Sequence, residues 1–274
     1  MTTRTMRIAP TRGWKLIDLR EIWQYRDLLY FLTVRGIKAK YAQSVLGVGW
    51  AIIQPLFQTL VFTVIFGNLA KMGSDGVPYV LFSFTAMVPW NYFSNILTNS
   101  SNSLVQNRDM LSKVYFPRLV LPVSSVISKL LDFLIGFAVL VGLLFYFRAV
   151  PNASVVYFPV LLLILMMTSL GIGMILSALA VQFRDVQYAM SFMVRIFMYS
   201  VPVVYSISII PRKYLYIYAL NPMVGVIEGM RSIFLDTRPM PWDLIGIGGV
   251  VSLALFVFGA FYFRRMEKTF ADIA

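Results

Sequence analysis

The 274-residue chain is too apolar for a soluble protein of its length. Hydrophobic residues make up 59% of it and charged residues 13%, compared with about 45–50% and about 25% in typical globular proteins. The mean hydropathy of +0.75 reflects long apolar runs that a soluble core of this size could not bury. The composition therefore predicts an all-α integral membrane protein. Because the sequence contains no histidine and no cysteine, we predict no metal site and no disulfide framework.

Residues 1–43 are predicted to form a cytoplasmic segment that precedes the membrane domain. No apolar run in them is followed by the small residues of a signal-peptide cleavage site. From Asp18 onward, Ile22, Tyr25, Leu29 and Leu32 recur at helical spacing, which predicts an amphipathic helix. Such a helix would lie in the cytoplasmic membrane interface, and the alternative is an ordinary soluble cap helix.

Six segments are predicted to span the membrane, within a domain of residues 44–263. A spanning helix needs about 20 mainly apolar residues. The segments that meet this requirement are residues 48–66, 78–97, 119–147, 155–181, 186–209 and 244–263. The fifth of them is interrupted by Arg195 and Pro202, and we expect Pro202 to bend its helix.

Basic residues predict the orientation of these spans. Nine lysines or arginines precede the first span, three lie between the second and third spans, and three lie in the tail of residues 264–274. The first-to-second and third-to-fourth connections carry one each. Since cytoplasmic flanks carry the excess of Lys and Arg, both termini are predicted to be cytoplasmic.

Residues 211–241 are apolar in pieces that are each too short to span a membrane. Non-spanning backbone at membrane depth persists only where protein or water satisfies its polar groups. We therefore predict two short re-entrant helices on the external side, hinged at Asn221 and Pro222. A plain external loop is the alternative.

The motifs of several enzyme classes are missing from the sequence. It has no Gly-x-x-x-x-Gly-Lys-Ser/Thr phosphate loop, and no pair of carboxylates shares an apolar setting. The glycines at 171, 173, 225 and 229 are interpreted as sites of close helix packing. The chain is therefore predicted not to be an enzyme, and uphill transport would need an ion gradient or another subunit.

Four charged residues fall within or beside the predicted spans. Lys129 and Asp132 lie three residues apart on one helical face, and we interpret them as a mutually neutralising structural pair. Arg195 has no acid near it in sequence. It could snorkel, pair across helices with Glu228 or Asp132, or face a water-filled path.

Aromatic side chains lie beside amides and hydroxyls inside the predicted spans, where membrane anchoring does not explain them. A sugar ring has apolar C–H faces and polar edges, so a glycan passage would combine aromatic faces with amide and hydroxyl groups. The predicted lining residues are Trp90, Tyr92, Phe93, Asn95, Phe197, Tyr199 and Tyr205.

A series of short motifs resembles a known family. They are RGIKAKY at residues 35–41, SVLG at 44–47, WAIIQPL at 50–56, VPW at 88–90, FSN at 93–95, KVYFPR at 113–118, LP at 121–122, FRDV at 183–186, PVVY at 202–205 and NPM at 221–223. In this order they resemble permease subunits of type-2 ABC exporters for lipid-linked polysaccharides, the O-antigen, teichoic acid and capsule group. The family often has Asp where Gly36 stands and Arg near Ala39.

The resemblance implies a homodimeric channel in the bacterial inner membrane, driven by two separate ATPase subunits that hold the ATP and magnesium. The cargo would be a polyprenyl-pyrophosphate-linked polysaccharide, with membrane lipids as further partners and no nucleic acid. Pro202, Asn221 and Pro222 would act at the external gate. The residues implied to couple to the ATPase are Arg20, Arg26, Arg108, Lys113, Arg118, Arg184 and Asp185. The alternatives are an ABC permease for another substrate, such as a drug or teichoic acid, and a gradient-driven flippase.

Overall fold

The computed structural model describes residues 19–42 and 44–267. Within them the chain forms α-helices and no β-strand. Asp18, from which the amphipathic helix was predicted to run, the four basic residues before it and the tail beyond residue 267 lie outside the described residues.

The described part of the chain has eleven α-helices. They are α1 (Leu19–Gln24), α2 (Arg26–Tyr41), α3 (Gly49–Phe62), α4 (Tyr79–Gln106), α5 (Arg108–Lys113), α6 (Val120–Tyr146), α7 (Phe158–Gln182), α8 (Asp185–Phe197), α9 (Arg212–Ala219), α10 (Pro222–Leu235) and α11 (Trp242–Met266). A π-helical stretch, Thr63–Leu69, continues α3. Short 3-10 turns cover Ala153–Tyr157, Met198–Ser200 and Ile207–Ile209.

In the part of the chain that the structure describes, four helical stretches are long and apolar enough to cross a membrane. They are Gly49–Leu69, Val120–Tyr146, Ala153–Gln182 and Trp242–Met266, which correspond to the first, third, fourth and sixth predicted spans. Helix α4 covers the second predicted span with 28 residues, but amides and hydroxyls fill its second half. An all-helical membrane fold is therefore confirmed with four candidate spans, and a count of six is considered below as a proposal.

The fifth predicted span differs from expectation, because its helix ends before Pro202 instead of bending there. Helix α8 has 13 residues and stops at Phe197. After one 3-10 turn, Val201 takes an extended conformation with φ −125° and ψ 148°. Proline disfavours the helical region for the residue before it and cannot donate a backbone hydrogen bond, so the helix does not continue.

The ends of several helices converge at one end of the bundle, which we call the basal end. Leu32 of α2, Leu104 of α4, Leu121 of α6, Met174 of α7 and Phe263 of α11 belong to one buried apolar cluster there. This cluster joins α2 to the C-terminal halves of α4, α7 and α11 and to the start of α6. The segments that carry the most basic residues in the sequence therefore meet at the basal end.

Helices α9 and α10 form two short helices within residues 211–241, as the sequence predicted. Helix α10 begins at Pro222 because the side chain of Asn221 accepts a hydrogen bond from the Met223 backbone N–H at 3.1 Å, which caps its first turn. All 14 residues of α10 are buried. The two predicted hinge residues are thus a helix start, and α10 lies inside the protein.

Glycines allow the backbones of α7 and α11 to touch. A Cβ added to Gly171 would lie 2.7 Å from the Phe256 backbone nitrogen, and one added to Gly259 would overlap the Gly171 carbonyl oxygen. In α10, a Cβ on Gly225 would lie 2.8 Å from the Leu244 carbonyl oxygen. The prediction that Gly171 and Gly225 serve close helix packing is confirmed.

Replacing Gly259 with alanine is expected to lower the thermal unfolding temperature of the detergent-solubilised protein. The added methyl group meets fixed backbone, and such overpacking costs about 1–3 kcal/mol. Gly246→Ala in the same helix is the matched control, since nothing lies within 4 Å of a Cβ added there. Equal unfolding temperatures for the two variants would contradict the backbone contact.

Candidate functional site

A cavity of about 420 Å³ lies between α3, α4, α6 and α8. Gln58 of α3 approaches Met198, just after α8, with 3.8 Å between its amide nitrogen and the sulfur, so the two elements meet at the cavity wall. The wall is formed by Lys40, Trp50, Ala51, Gln54, Pro55, Gln58, Phe62, Val88, Trp90, Asn91, Tyr92, Ser94, Asn95, Asp132, Phe133, Gly136, Val194, Arg195, Met198 and Tyr199.

Helical spacing brings polar and aromatic groups to the cavity together. In α4, Trp90, Asn91, Ser94 and Asn95 fall on one face because their spacings approximate one helical turn. The wall therefore offers aromatic faces next to amide and hydroxyl groups. Groups of this kind can stack on the apolar faces of a ring and bond its polar edges at the same time.

Four of the seven predicted lining residues lie on the cavity wall: Trp90, Tyr92, Asn95 and Tyr199. Phe93 is buried behind it, with its ring centroid 5.6 Å from that of Trp90. Tyr205 is not on the wall, but its hydroxyl donates to the carbonyl oxygen of the wall residue Tyr199 at 3.1 Å and lies 2.6 Å from the Tyr218 hydroxyl of α9. Phe197 is also absent from the wall.

The lining residues predicted from the sequence included none from α3. Trp50, Gln54 and Gln58 lie four residues apart and face it from α3. Two amides at this spacing within an otherwise apolar helix were a signal in the sequence, because residues i and i+4 share a helix face. The first predicted span should therefore have been interpreted as partly polar on one side.

Asp132, a wall residue on α6, connects this helix to α2 through its carboxylate. The Lys40 ammonium nitrogen lies 2.7 Å from one of its carboxylate oxygens, and the Tyr41 hydroxyl donates to the other. The predicted Lys129–Asp132 pair is present at 3.8 Å, so Lys40 is the closer partner. Burial and the contact with Asp132 raise the pKa of Tyr41 above its ordinary value, so this hydroxyl remains a donor.

The two suggested acidic partners of Arg195 are both engaged by other residues. Asp132 pairs with Lys40, and Glu228 pairs with Arg231 at 2.8 Å. Among the residues that the structure describes, neither acid forms an ion pair with Arg195. Arg195 is exposed and lies on the cavity wall, and the third alternative, that it faces a water-filled path, stays a prediction.

Glu228 belongs to a buried group of charges that the sequence only partly revealed. Arg231, which is 1% exposed, donates to the Glu228 carboxylate and, at 3.1 Å, to the Val203 carbonyl oxygen. Its guanidinium carbon lies 3.5 Å from the centroid of the Phe82 ring of α4. Glu228 is thus neutralised within its own helix, and Arg231 holds a segment that lies before α9.

The residues predicted to couple to an ATPase lie in α1, α2 and α5, just before α6, and at the α7–α8 turn. Arg118 connects the start of α6 to the end of α11, because its backbone N–H donates to the Glu267 carboxylate at 3.3 Å and its guanidinium donates to the Glu267 carbonyl oxygen. Burial raises the pKa of Glu267. Arg20, Arg26, Lys113, Arg184 and Asp185 are exposed, and Arg108 is half-buried. Their coupling role stays a prediction.

Long apolar helices and a cavity with polar and aromatic walls are compatible with a membrane transport protein. The chain belongs to the ABC-2 type transporter family, whose sequence pattern it matches over residues 27–235.

Relatives of the chain come from several bacteria. It is 32% identical to the O-antigen export system permease protein RfbA of Myxococcus xanthus over 253 residues, covering 91% of this chain and 96% of the relative. It is 29% identical to the protein of the same name from Klebsiella pneumoniae, covering 90% and 95%. It is 26% identical to the polysialic acid transport protein KpsM of Escherichia coli, covering 73% and 78%. The predicted family is confirmed.

Proposed function

We propose that this chain is the membrane subunit of an ATP-driven exporter that moves a lipid-linked, O-antigen-like polysaccharide out of the cytoplasm. The cavity wall carries the proposal, because it places Trp90 and Tyr199 beside the amides of Gln54, Asn91 and Asn95. Sugar rings need both kinds of contact. The names of the two RfbA relatives, each matched over at least nine-tenths of its length, support the same cargo.

We infer six spans, with α4 and the α8 region added to the four long apolar helices. Helix α4 is long enough at 28 residues, since about 20 span the hydrocarbon core. Its polar groups are mostly turned toward the protein interior, where cavity and neighbours can satisfy them. Helices α9 and α10 would be the re-entrant pair on the external side, and the buried position of α10 supports this.

The basal end would face the cytoplasm, with both termini in that compartment of a bacterial inner membrane. The convergence of the basic segments at this end supports the orientation. Two ATPase subunits, which would hold ATP and magnesium, would dock there. The exposed coupling residues in α1, α2 and the α7–α8 turn are available for such contacts.

The channel itself would be a homodimer, with the cavity of each copy opening toward a shared path. Exposed apolar side chains on α3 and α8, among them Phe57, Leu60 and Phe192, provide a surface for a second copy. Residues 1–43 would act as the interface segment, residues 44–263 as the channel and residues 264–274 as a cytoplasmic tail.

Reconstitution with the candidate ATPase partner in proteoliposomes that contain a lipid-linked polysaccharide tests the function. Translocation is expected to require ATP and to stop when a catalytically inactive ATPase partner replaces the active one. Dissipating the proton and sodium gradients is the control and is expected to have no effect. Translocation that continues without ATP and follows an ion gradient would show a gradient-driven flippase instead. Transport of small drugs but not of the glycan would show a different ABC permease.

A further inference from the structure

Residues 201–206 cross the buried interior without regular secondary structure. Four of them, Val201, Val203, Val204 and Ser206, are at most 2% exposed. Backbone carbonyls in such a place need partners, because neither water nor a helix supplies them. The groups that donate hydrogen bonds to these carbonyls therefore hold the segment in place. We call residues 201–206 the crossing segment.

Side chains from α4 and α10 satisfy three consecutive carbonyls of the crossing segment. Arg231 donates to the carbonyl oxygens of Val203 at 3.1 Å and of Tyr205 at 3.4 Å. The Tyr79 hydroxyl donates to the Val204 carbonyl oxygen between them. The inner side of the crossing segment is therefore fixed by a buried arginine that Glu228 neutralises.

A second contact holds the outer side of the crossing segment at its last residue. The Ser206 hydroxyl lies 2.8 and 2.9 Å from the two carboxylate oxygens of Asp75. Arg238 completes the group, with one guanidinium nitrogen 3.0 Å from Asp75 and 3.3 Å from Ser206. Asp75 comes from the α3–α4 connection and Arg238 from the α10–α11 connection, so three separate segments meet here.

The two contacts differ in how easily they can open. The Arg231 side chain is 1% exposed, and separating it from its partners would leave a buried charge unpaired. The Arg238 and Asp75 side chains are 37% and 14% exposed, so this pair is closer to water and costs less to separate than Arg231 and Glu228. Ser206 is buried, but its hydroxyl also lies 2.8 Å from the Ser208 hydroxyl, which remains as a partner when Asp75 leaves. Movement of the crossing segment would therefore begin at Ser206, with Arg231 as the fixed point.

We propose that Asp75, Ser206 and Arg238 form an external latch, and that each export cycle requires it to open while Arg231 keeps the crossing segment anchored. This inference rests on the proposed export function, because export is the movement that the latch would control. The crossing segment connects α8, which lines the cavity, to the external helix pair α9 and α10. It is thus placed to move the exit side of the path.

A reversible crosslink tests the latch directly. The chain has no native cysteine, so Asp75→Cys combined with Ser206→Cys introduces the only two thiols. In proteoliposomes with the ATPase partner, the reduced variant is expected to export lipid-linked polysaccharide. Oxidation, or a short bifunctional thiol reagent, is expected to lower export by about tenfold or more, since a closed gate limits the whole cycle. Reduction should restore export.

The matched control joins two external residues without touching the crossing segment. The Asn152 side-chain nitrogen lies 2.9 Å from the Asp236 carboxylate, so Asn152→Cys with Asp236→Cys gives a comparable crosslink. This crosslink is expected to leave export unchanged. If the fully crosslinked Asp75→Cys, Ser206→Cys variant exports as well as the wild type, the latch is overturned. The proposed function still stands in that case, because the wild type exports the glycan. Failure of the wild-type chain to export the glycan would overturn both.

Discussion

Glu228→Ala is expected to destabilise the folded protein by about 3–5 kcal/mol, because removing one partner of a buried ion pair leaves the other charge uncompensated. Arg231 is 1% exposed, and its remaining partners are the carbonyls of Val203 and Tyr205 and the Phe82 ring. None of these partners carries a net charge, so they do not balance a full charge. The loss should appear as a lower midpoint of thermal or detergent-induced unfolding.

Asp27→Ala is the matched control for this loss. Asp27 also pairs with an arginine, Arg26, at 3.8 Å, but the two side chains are 94% and 61% exposed. Exposed pairs contribute about 0–1 kcal/mol, so this variant should unfold close to the wild-type midpoint. Equal unfolding midpoints for the two variants would contradict the claim that Glu228 stabilises the protein by neutralising the buried Arg231.

Asn95→Trp is expected to reduce export by about tenfold or more, which corresponds to about 1.4 kcal/mol or more in the rate-limiting barrier. Asn95 lies on the cavity wall, so a large rigid side chain there occupies the space proposed for the glycan and removes an amide partner. Export of lipid-linked polysaccharide by the reconstituted complex is the measurement. Binding of the ATPase subunit should be retained, since it would occur at the basal end.

Leu134→Trp tests whether the effect is specific to the cavity. Leu134 is 52% exposed on α6, faces away from the cavity and already carries a large apolar side chain. Export by this variant is expected to match the wild type. A wild-type rate for Asn95→Trp would mean that the glycan does not pass through this cavity.

The sequence predicted the parts of the fold that depend on local chemistry. Long apolar runs identified four candidate spans because hydropathy alone defines them. Asn221 and Pro222 were recognised as a break between two short helices, and they form a helix start because Asn is a capping residue and Pro suits the first turn. The end of α8 was misjudged because the sequence was interpreted as one helix that Pro202 would bend.

The buried charges show why other parts of the site could not be predicted. Glu228 and Arg231 lie three residues apart, so their pairing could have been inferred from helical spacing. The carbonyls that Arg231 also binds lie 26 and 28 residues earlier in the chain, and only the folded structure brings them together. The same holds for the Asp75–Arg238 pair, whose members are 163 residues apart.

The two flanks of the cavity bundle differ in stiffness. Helices α7 and α11 touch backbone to backbone at Gly171 and Gly259, whereas α8 has one buried residue, Met190. Close-packed interiors resist compression, and loosely packed helices yield first. Within one copy of the chain, a mechanical load applied at the basal end would therefore deform the α8 flank before the α7–α11 pair, which would move as a rigid unit.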